Sequence, residues 1–222
     1  ALQGKVKKET GSVKLQVALV AIENKSGAVK ALLGGRNYSH SQFNRAVSNN
    51  RLPGSSFKPF VYLTAMETLG LSPATVVVDE PVTIEIPGSK SWEPQNFDKE
   101  FAGSIVLKKA LLKSINVVSA KLMQQVGPEK VIRTARKFGI KSPLGKNLSL
   151  ALGTSGVAPL EIASAYSVIA NLGIYNEPYL IQQIEDFQGN RLYEHYYQGV
   201  QQFSPDTLYP LLDMMQGVVE RG

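Results

Sequence analysis

The stretch Arg51-Leu-Pro-Gly-Ser-Ser-Phe-Lys-Pro-Phe60 constrains this chain more than any other. Pro53-Gly54 is a turn signal. The run that follows, Phe60, Val61, Leu63, Thr64, Ala65, Met66 and Leu69, reads as a helix stopped by Gly70. Ser55 and Lys58 stand three apart where that helix begins, and side chains three apart share a face. The pairing has a chemical use. A serine hydroxyl becomes a nucleophile when a neighbouring base takes its proton. A lysine amine is that base when burial or nearby positive charge makes it neutral. Leu52, Phe57 and Phe60 are the apolar walls available, and the first helical turn offers free N–H groups and partial positive charge to a developing oxyanion. Alone, Ser-x-x-Lys is a common pattern, and its ordinary reading is a serine cap followed by a solvated lysine.

Composition narrows the field. The chain has 222 residues, 43% hydrophobic and 19% charged, which suits one soluble globular domain with a sizeable core. It has no apolar run long enough to span a membrane and no signal peptide, so any anchor is expected outside it. Cysteine is absent, which excludes disulfides and thiolate metal sites. His40 and His195 are far apart in sequence and read as exposed loop residues, so neither a histidine triad nor a bound metal is expected. No cofactor is implied. The net charge of +6 gathers partly at Lys5, Lys7 and Lys8, at Lys108, Lys109 and Lys113, and at Arg133, Arg136 and Lys137. These fall on polar sides of amphipathic helices without interleaved aromatics, which argues against a nucleic-acid partner.

Taken in order, residues 1–12 read as a polar, basic tail, and 13–222 as the folded domain. Residues 15–22 and 28–33 predict a β-hairpin about the turn Asn24-Lys-Ser-Gly27. After Gly70 the proline-rich region through Asp98 is irregular, with one short strand candidate at 82–86 and the sole tryptophan, Trp92. Trp92 reads as a packing anchor, or as a lining residue of a cleft. Helices are expected at 105–112, 117–125, 128–138 and 159–170, strands at 179–185 and 191–193, and a last helix after Ser204-Pro205. The order predicts an α+β fold, one sheet flanked by a helical cluster.

Between the helices at 105–112 and 117–125 lies Ser114-Ile-Asn116. In a cleft, the Ser114 hydroxyl relays a proton between Lys58 and a leaving amine. The Asn116 amide hydrogen-bonds both the lysine and a substrate amide. Ser-x-Asn alone carries little information, since loops are rich in both residues.

Together these segments resemble the transpeptidase domain of class A, bifunctional penicillin-binding proteins. The resemblance runs through Gly34-Gly-Arg-Asn-Tyr38, Phe43-Asn-Arg-Ala46, Arg51–Phe60, Trp92-Glu-Pro-Gln-Asn96, Ala110–Asn116, Ala151-Leu-Gly153 and Glu161–Tyr166, and so covers nearly the whole chain. Ser-x-x-Lys with a second Ser-x-Asn element is a signature of that superfamily. The resemblance implies the fold shared by penicillin-binding proteins and serine β-lactamases. It makes Ser55 the acyl-accepting nucleophile, Lys58 its base, Ser114 the relay, and Asn116 a catalytic and substrate-binding amide. Trp92 is a further substrate-binding candidate. Ser56 is the rival nucleophile, one residue too close to Lys58. The implied partners are peptidoglycan stem peptides, β-lactams, and a glycosyltransferase domain of the same protein. The implied place is the extracytoplasmic face of a bacterial membrane. A DD-carboxypeptidase, a β-lactamase-like hydrolase and a non-catalytic wall-peptide scaffold are the alternatives.

Two positions depart from the family pattern. Ile115 stands where the family triplet has aspartate. The family's Lys-Thr/Ser-Gly element belongs on a strand after the second motif, whereas Lys25-Ser-Gly27 comes before Ser55, in the hairpin turn. The expectation is that the chain stops before that third element, with C-terminal strands of the domain missing from it.

Overall fold

The computed structural model describes residues 15–222 except 87 and 89. The expected tail at 1–12 and Pro87 therefore lie outside the described residues.

Helix α1, Lys58–Leu69, is the axis of the molecule. Every residue from Lys58 to Met66 is buried. A helix apolar on all sides belongs in the middle of a core, which is why the run Pro59-Phe-Val-Tyr-Leu-Thr-Ala-Met66 shows no polar face. Gly70, at φ 65°, takes the left-handed conformation that ends it. Around α1 pack α2 (Leu107–Leu112), α3 (Asn116–Val126), α4 (Pro128–Lys137) and the long C-terminal α6 (Pro205–Arg221). The fifth helix, α5 (Pro159–Ala170), lies against the first strand. Proline opens α4, α5 and α6, where its missing N–H has no intrahelical partner to lose.

A chain of aromatic contacts locks the helices together. Phe60 on α1 meets Phe57 edge-on at 5.2 Å and Phe138, just past α4, at 5.0 Å. Phe138 stacks on Phe203, before α6, at 4.5 Å, and Phe60 meets Tyr166 on α5 at 6.3 Å. Phe57, Phe60 and Phe138 are wholly excluded from solvent.

The fold is α+β, as the sequence indicates, but among the described residues the strands form four separate antiparallel pairs and no single sheet. β1 (Leu19–Ile22) pairs with β2 (Val29–Leu33) in the expected hairpin. β3 (Val76–Asp79) pairs with β4 (Gly103–Val106), β5 (Ile174–Tyr175) with β8 (Val200–Gln201), and β6 (Gln183–Glu185) with β7 (Arg191–Glu194). Helices separate the first pair from the second and the second from the rest, the β6–β7 hairpin lies within the connection from β5 to β8, and no pair has a strand of another at its edge.

Three local readings change. Residues 103–106 are a strand, not the start of a helix. Ile105 and Val106 are β-branched, and Ile105 alone faces the core while Ser104 and Val106 face out. The partner strand, Val76–Asp79, was hidden among prolines. The strand candidate at 82–86 shrinks to one bridge, Ile84 with Trp92. In that register the next hydrogen-bonded pair is Val82 with Pro94, and proline has no N–H to give. Finally, the 179–185 strand keeps only its last three residues. Tyr179 instead donates to Gly27 O and accepts from Val29 N, at 3.2 and 2.9 Å.

Phe138→Ala removes the ring that joins α1 to the α6 approach. It should cost about 3–5 kcal/mol, read as a lowered denaturant midpoint.

Candidate active site

Ser55 sits in a single 3-10 turn, Gly54–Phe57, that runs directly into α1. In that geometry residues three apart fall on one face, which puts Ser55 and Lys58 on the same side of the turn, with no hydrogen bond between their side chains among the described residues. Their exposures are opposite. Ser55 is exposed, and its hydroxyl makes no hydrogen bond among the described residues. Lys58 is 1% exposed. Ser56 is committed elsewhere: its hydroxyl donates to Pro53 O at 2.8 Å, and its carbonyl accepts from the Tyr166 hydroxyl at 2.9 Å. Phe57 and Phe60 form apolar walls as expected, whereas Leu52 points to solvent, 65% exposed.

The turn is held from behind by a glycine contact. Gly54 N donates to Gly153 O at 3.3 Å. A Cβ on Gly153 would stand 2.2 Å from Gly54 O, and Gly153 has φ +67°, so no side chain fits there.

The Lys58 ammonium reaches across to the loop between α2 and α3. It donates to Ser114 O at 2.6 Å, Ser114 Oγ at 2.9 Å and Asn116 Oδ1 at 2.7 Å. Three donors meet three acceptors. Burial pushes the amine's pKa down from 10.5 to about 8. About a tenth of it is then neutral at pH 7. A neutral amine has a lone pair, and the Ser114 hydroxyl is placed to donate to it.

Ser114 is presented by a helix ending. α2 closes with Ile115 N donating to Ala110 O and Ser114 N to Leu111 O, both at 2.9 Å. This is the Schellman pattern, whose penultimate residue is left-handed and usually glycine. Here it is Ser114, at φ 53°. The strained backbone turns both its carbonyl and its hydroxyl toward Lys58.

Asn116 is the first residue of α3. Its Nδ2 donates to Gln95 O at 2.9 Å, which leaves Oδ1 for Lys58. The helix N-terminus lacks a cap from its own segment. Asn96 supplies it: its Oδ1 accepts from Asn116 N at 3.0 Å and Val117 N at 3.2 Å. In the sequence Gln95 and Asn96 stand inside the Trp92 motif with no task of their own. The half-buried Trp92 pairs its backbone with Ile84 and shares no hydrogen bond with this cluster among the described residues. Its segment reaches the site through Gln95 and Asn96.

Lys25-Ser26-Gly27 stays a turn, with the Asn176 amide donating to Asn24 O and Lys25 O. His40 is exposed and the His195 ring stacks on Tyr179, and no metal-ligating cluster occurs among the described residues.

The family model described as the penicillin binding protein transpeptidase domain matches residues 17–222. The chain belongs to that family. It is 43% identical over 181 residues to penicillin-binding protein 1A of Pseudomonas aeruginosa, covering 81% of this chain and 22% of the relative. The chain spans roughly a quarter of the length of the curated relatives it matches. Among solved structures, penicillin-binding protein 1A from Haemophilus influenzae superimposes with a TM-score of 0.87 at 28% identity, over 93% of this chain and 35% of that one. The Mycobacterium tuberculosis PonA1 protein in complex with penicillin V gives 0.79 at 27% identity, over 89% and 54%. The architecture is therefore that of penicillin-binding transpeptidase domains.

In this transpeptidase domain, Ser114→Gly should be more stable than Ser114→Ala by about 1 kcal/mol, because glycine adopts the left-handed conformation freely and alanine does not. Thermal unfolding of the two variants reads the difference.

Proposed function

We propose that this chain carries the acylating centre of a peptidoglycan DD-transpeptidase, with Ser55 as nucleophile. One observation carries the reading: a buried lysine of lowered pKa, bound to Ser114 and Asn116, stands three residues after an exposed serine whose hydroxyl has no partner among the described residues.

The neutral Lys58 amine takes the Ser55 proton as Oγ attacks the carbonyl of the penultimate D-alanine of a stem peptide. The tetrahedral intermediate collapses, and the C–N bond to the terminal D-alanine breaks. The leaving amine receives the proton from Lys58 by way of the Ser114 hydroxyl. The acyl group is left as an ester on Ser55. An amine of a second stem attacks that ester, gives up its proton by the reverse route, and restores the serine. Asn116 orients Lys58 through Oδ1 and faces the substrate amide. Trp92 is a candidate for the cleft wall. A β-lactam would acylate Ser55 in place of the stem peptide. The proposal assigns no residue of this chain to the substrate's terminal carboxylate.

The reading places the activity at the extracytoplasmic face of a bacterial membrane, with a glycosyltransferase domain of the same protein as neighbour. No helix of the described residues is long and apolar enough to cross a membrane. Domain bounds of 13–222 belong to the same proposal.

Labelled penicillin tests it. The expected result is a covalent adduct mapped by mass spectrometry to Ser55, lost in Ser55→Ala and kept in Ser56→Ala; an adduct on Ser56 would overturn the assignment. Rapid release of the adduct would point to hydrolysis in place of transfer.

The pH dependence has a definite sign. Only the neutral amine accepts the serine proton, so acylation should rise as pH increases through about 8 and level off above it. Stopped-flow acylation rates across that range check it.

A further inference from the structure

Behind Asn96 stands a carboxylate that the reaction does not touch. Asp79, the last residue of β3, is fully excluded from solvent. It accepts from Asn96 Nδ2 at 2.9 Å through Oδ1 and 3.0 Å through Oδ2, and from Ala102 N at 2.8 Å. Asn96, itself buried, also donates to Glu100 O at 2.8 Å.

We infer that Asp79 is a positioning residue, which through Asn96 fixes the start of α3 and with it the Asn116 amide that holds Lys58. The inference rests on the proposed roles of Ser55, Lys58 and Asn116.

Donors and acceptors decide the orientation. The two ends of an asparagine amide are nearly identical in shape and opposite in hydrogen bonding. Both carboxylate oxygens of Asp79 accept from Asn96 Nδ2, so that end of the amide is turned toward Asp79. Oδ1 is thereby turned to the N-terminus of α3, where Asn116 N and Val117 N need an acceptor. An amide at position 79 would offer a donor as well as an acceptor and leave Glu100 O alone to hold the Nδ2 end.

The next link is covalent. Gln95 precedes Asn96 in the chain, and its carbonyl holds Asn116 Nδ2. Both grips on Asn116, one on its backbone and one on its side chain, thus come from adjacent residues of one segment. Asp79 anchors that segment from the neighbouring strand. Asn116 is then committed to offering Oδ1 to Lys58. A small displacement of a group that sets a reacting geometry costs far more in rate than in binding.

An exchange of the pair tests this in the complete protein. Asp79→Asn should slow acylation of Ser55 by labelled penicillin by roughly ten- to a hundredfold, on the order expected for a misplaced reacting group. The affinity of the complex that precedes the covalent step should change little. Asn96→Asp should slow it comparably, since two buried carboxylates would then face each other. The double variant restores a complementary pair with the two groups exchanged. The amide introduced at position 79 donates to the carboxylate introduced at position 96, and that carboxylate accepts from Asn116 N and Val117 N. The double variant should acylate faster than either single variant, although Glu100 O loses its donor.

A merely structural role would lower the unfolding temperature and leave the acylation rate of the folded protein alone. Asp79→Asn acylating at the wild-type rate would overturn the inference. So would a loss confined to affinity, or a double variant no faster than the singles. If Asp79→Asn fails to fold, Asn96→Asp and the double variant carry the comparison, and a double variant that also fails to fold overturns it. A wild-type protein that takes no penicillin onto Ser55 would instead remove the proposed function itself; an acylating wild type beside an unimpaired Asp79→Asn removes only this inference.

Discussion

The contact on which the molecule turns is the one between Lys58 Nζ and the α2–α3 loop. It joins residues 56 and 58 positions apart, at 2.9 Å to Ser114 Oγ and 2.7 Å to Asn116 Oδ1. Everything around it keeps a charged group where a charge is unwelcome. α1 is buried on every side because it must deliver the lysine into the core. Phe57, Phe60 and Phe138, in contact with one another and closed to solvent, make the core into which α1 is set. The three acceptors then satisfy its donors, without which the burial would not be tolerated.

Two residues show what that arrangement costs. Below pH 8 the folded state holds a buried ammonium that the unfolded chain solvates freely, a penalty of about 3 kcal/mol from the lowered pKa. The penalty shrinks as pH rises from 8 to 10.5, because the folded lysine sheds its proton before the unfolded one does. Ser114 adds left-handed strain at a position that favours glycine. A sequence chosen for stability would have an apolar residue at 58 and glycine at 114. Both departures serve the same few ångströms, which is where local rules are expected to break.

Legibility in the sequence followed the range of the interaction concerned. The helices were plain, since proline starts, glycine stops and apolar spacing are local signals. Ser55, Lys58, Ser114 and Asn116 stood out because two of them share one turn and the others lie in one loop. Their mutual approach does not follow from spacing; the resemblance implies it, and hydrogen bonds join three of the four, Lys58, Ser114 and Asn116. What stayed hidden was non-local. The β3–β4 pairing joins Val76–Asp79 to a segment beginning at Gly103, and Ile105-Val-Leu107 suits a helix as well as a strand until that partner is known. Asn96 reads as a loop asparagine, because a cap lent to a helix 20 residues away leaves no pattern in either segment. Gly153 belongs to the resembling segments with no role of its own in the sequence; only the backbone of Gly54 lying against it explains why no side chain fits.

The division of labour between Ser55 and Ser56 follows from the same geometry. Both sit in one 3-10 turn, and hydroxyl chemistry alone does not separate them. Ser56 is drawn inward: its hydroxyl closes the turn on Pro53 O, and its carbonyl is held by Tyr166 of α5. Those two bonds make it a fastener between the turn and the helical cluster. Because Ser56 is fixed, Ser55 is fixed too, yet its own oxygen takes no part in the fastening. A nucleophile needs this combination of a rigid backbone and an uncommitted oxygen. Gly153 presses on the turn from one side, and Lys58 follows it in the chain as the first residue of α1. The remaining approach to Ser55 is from solvent.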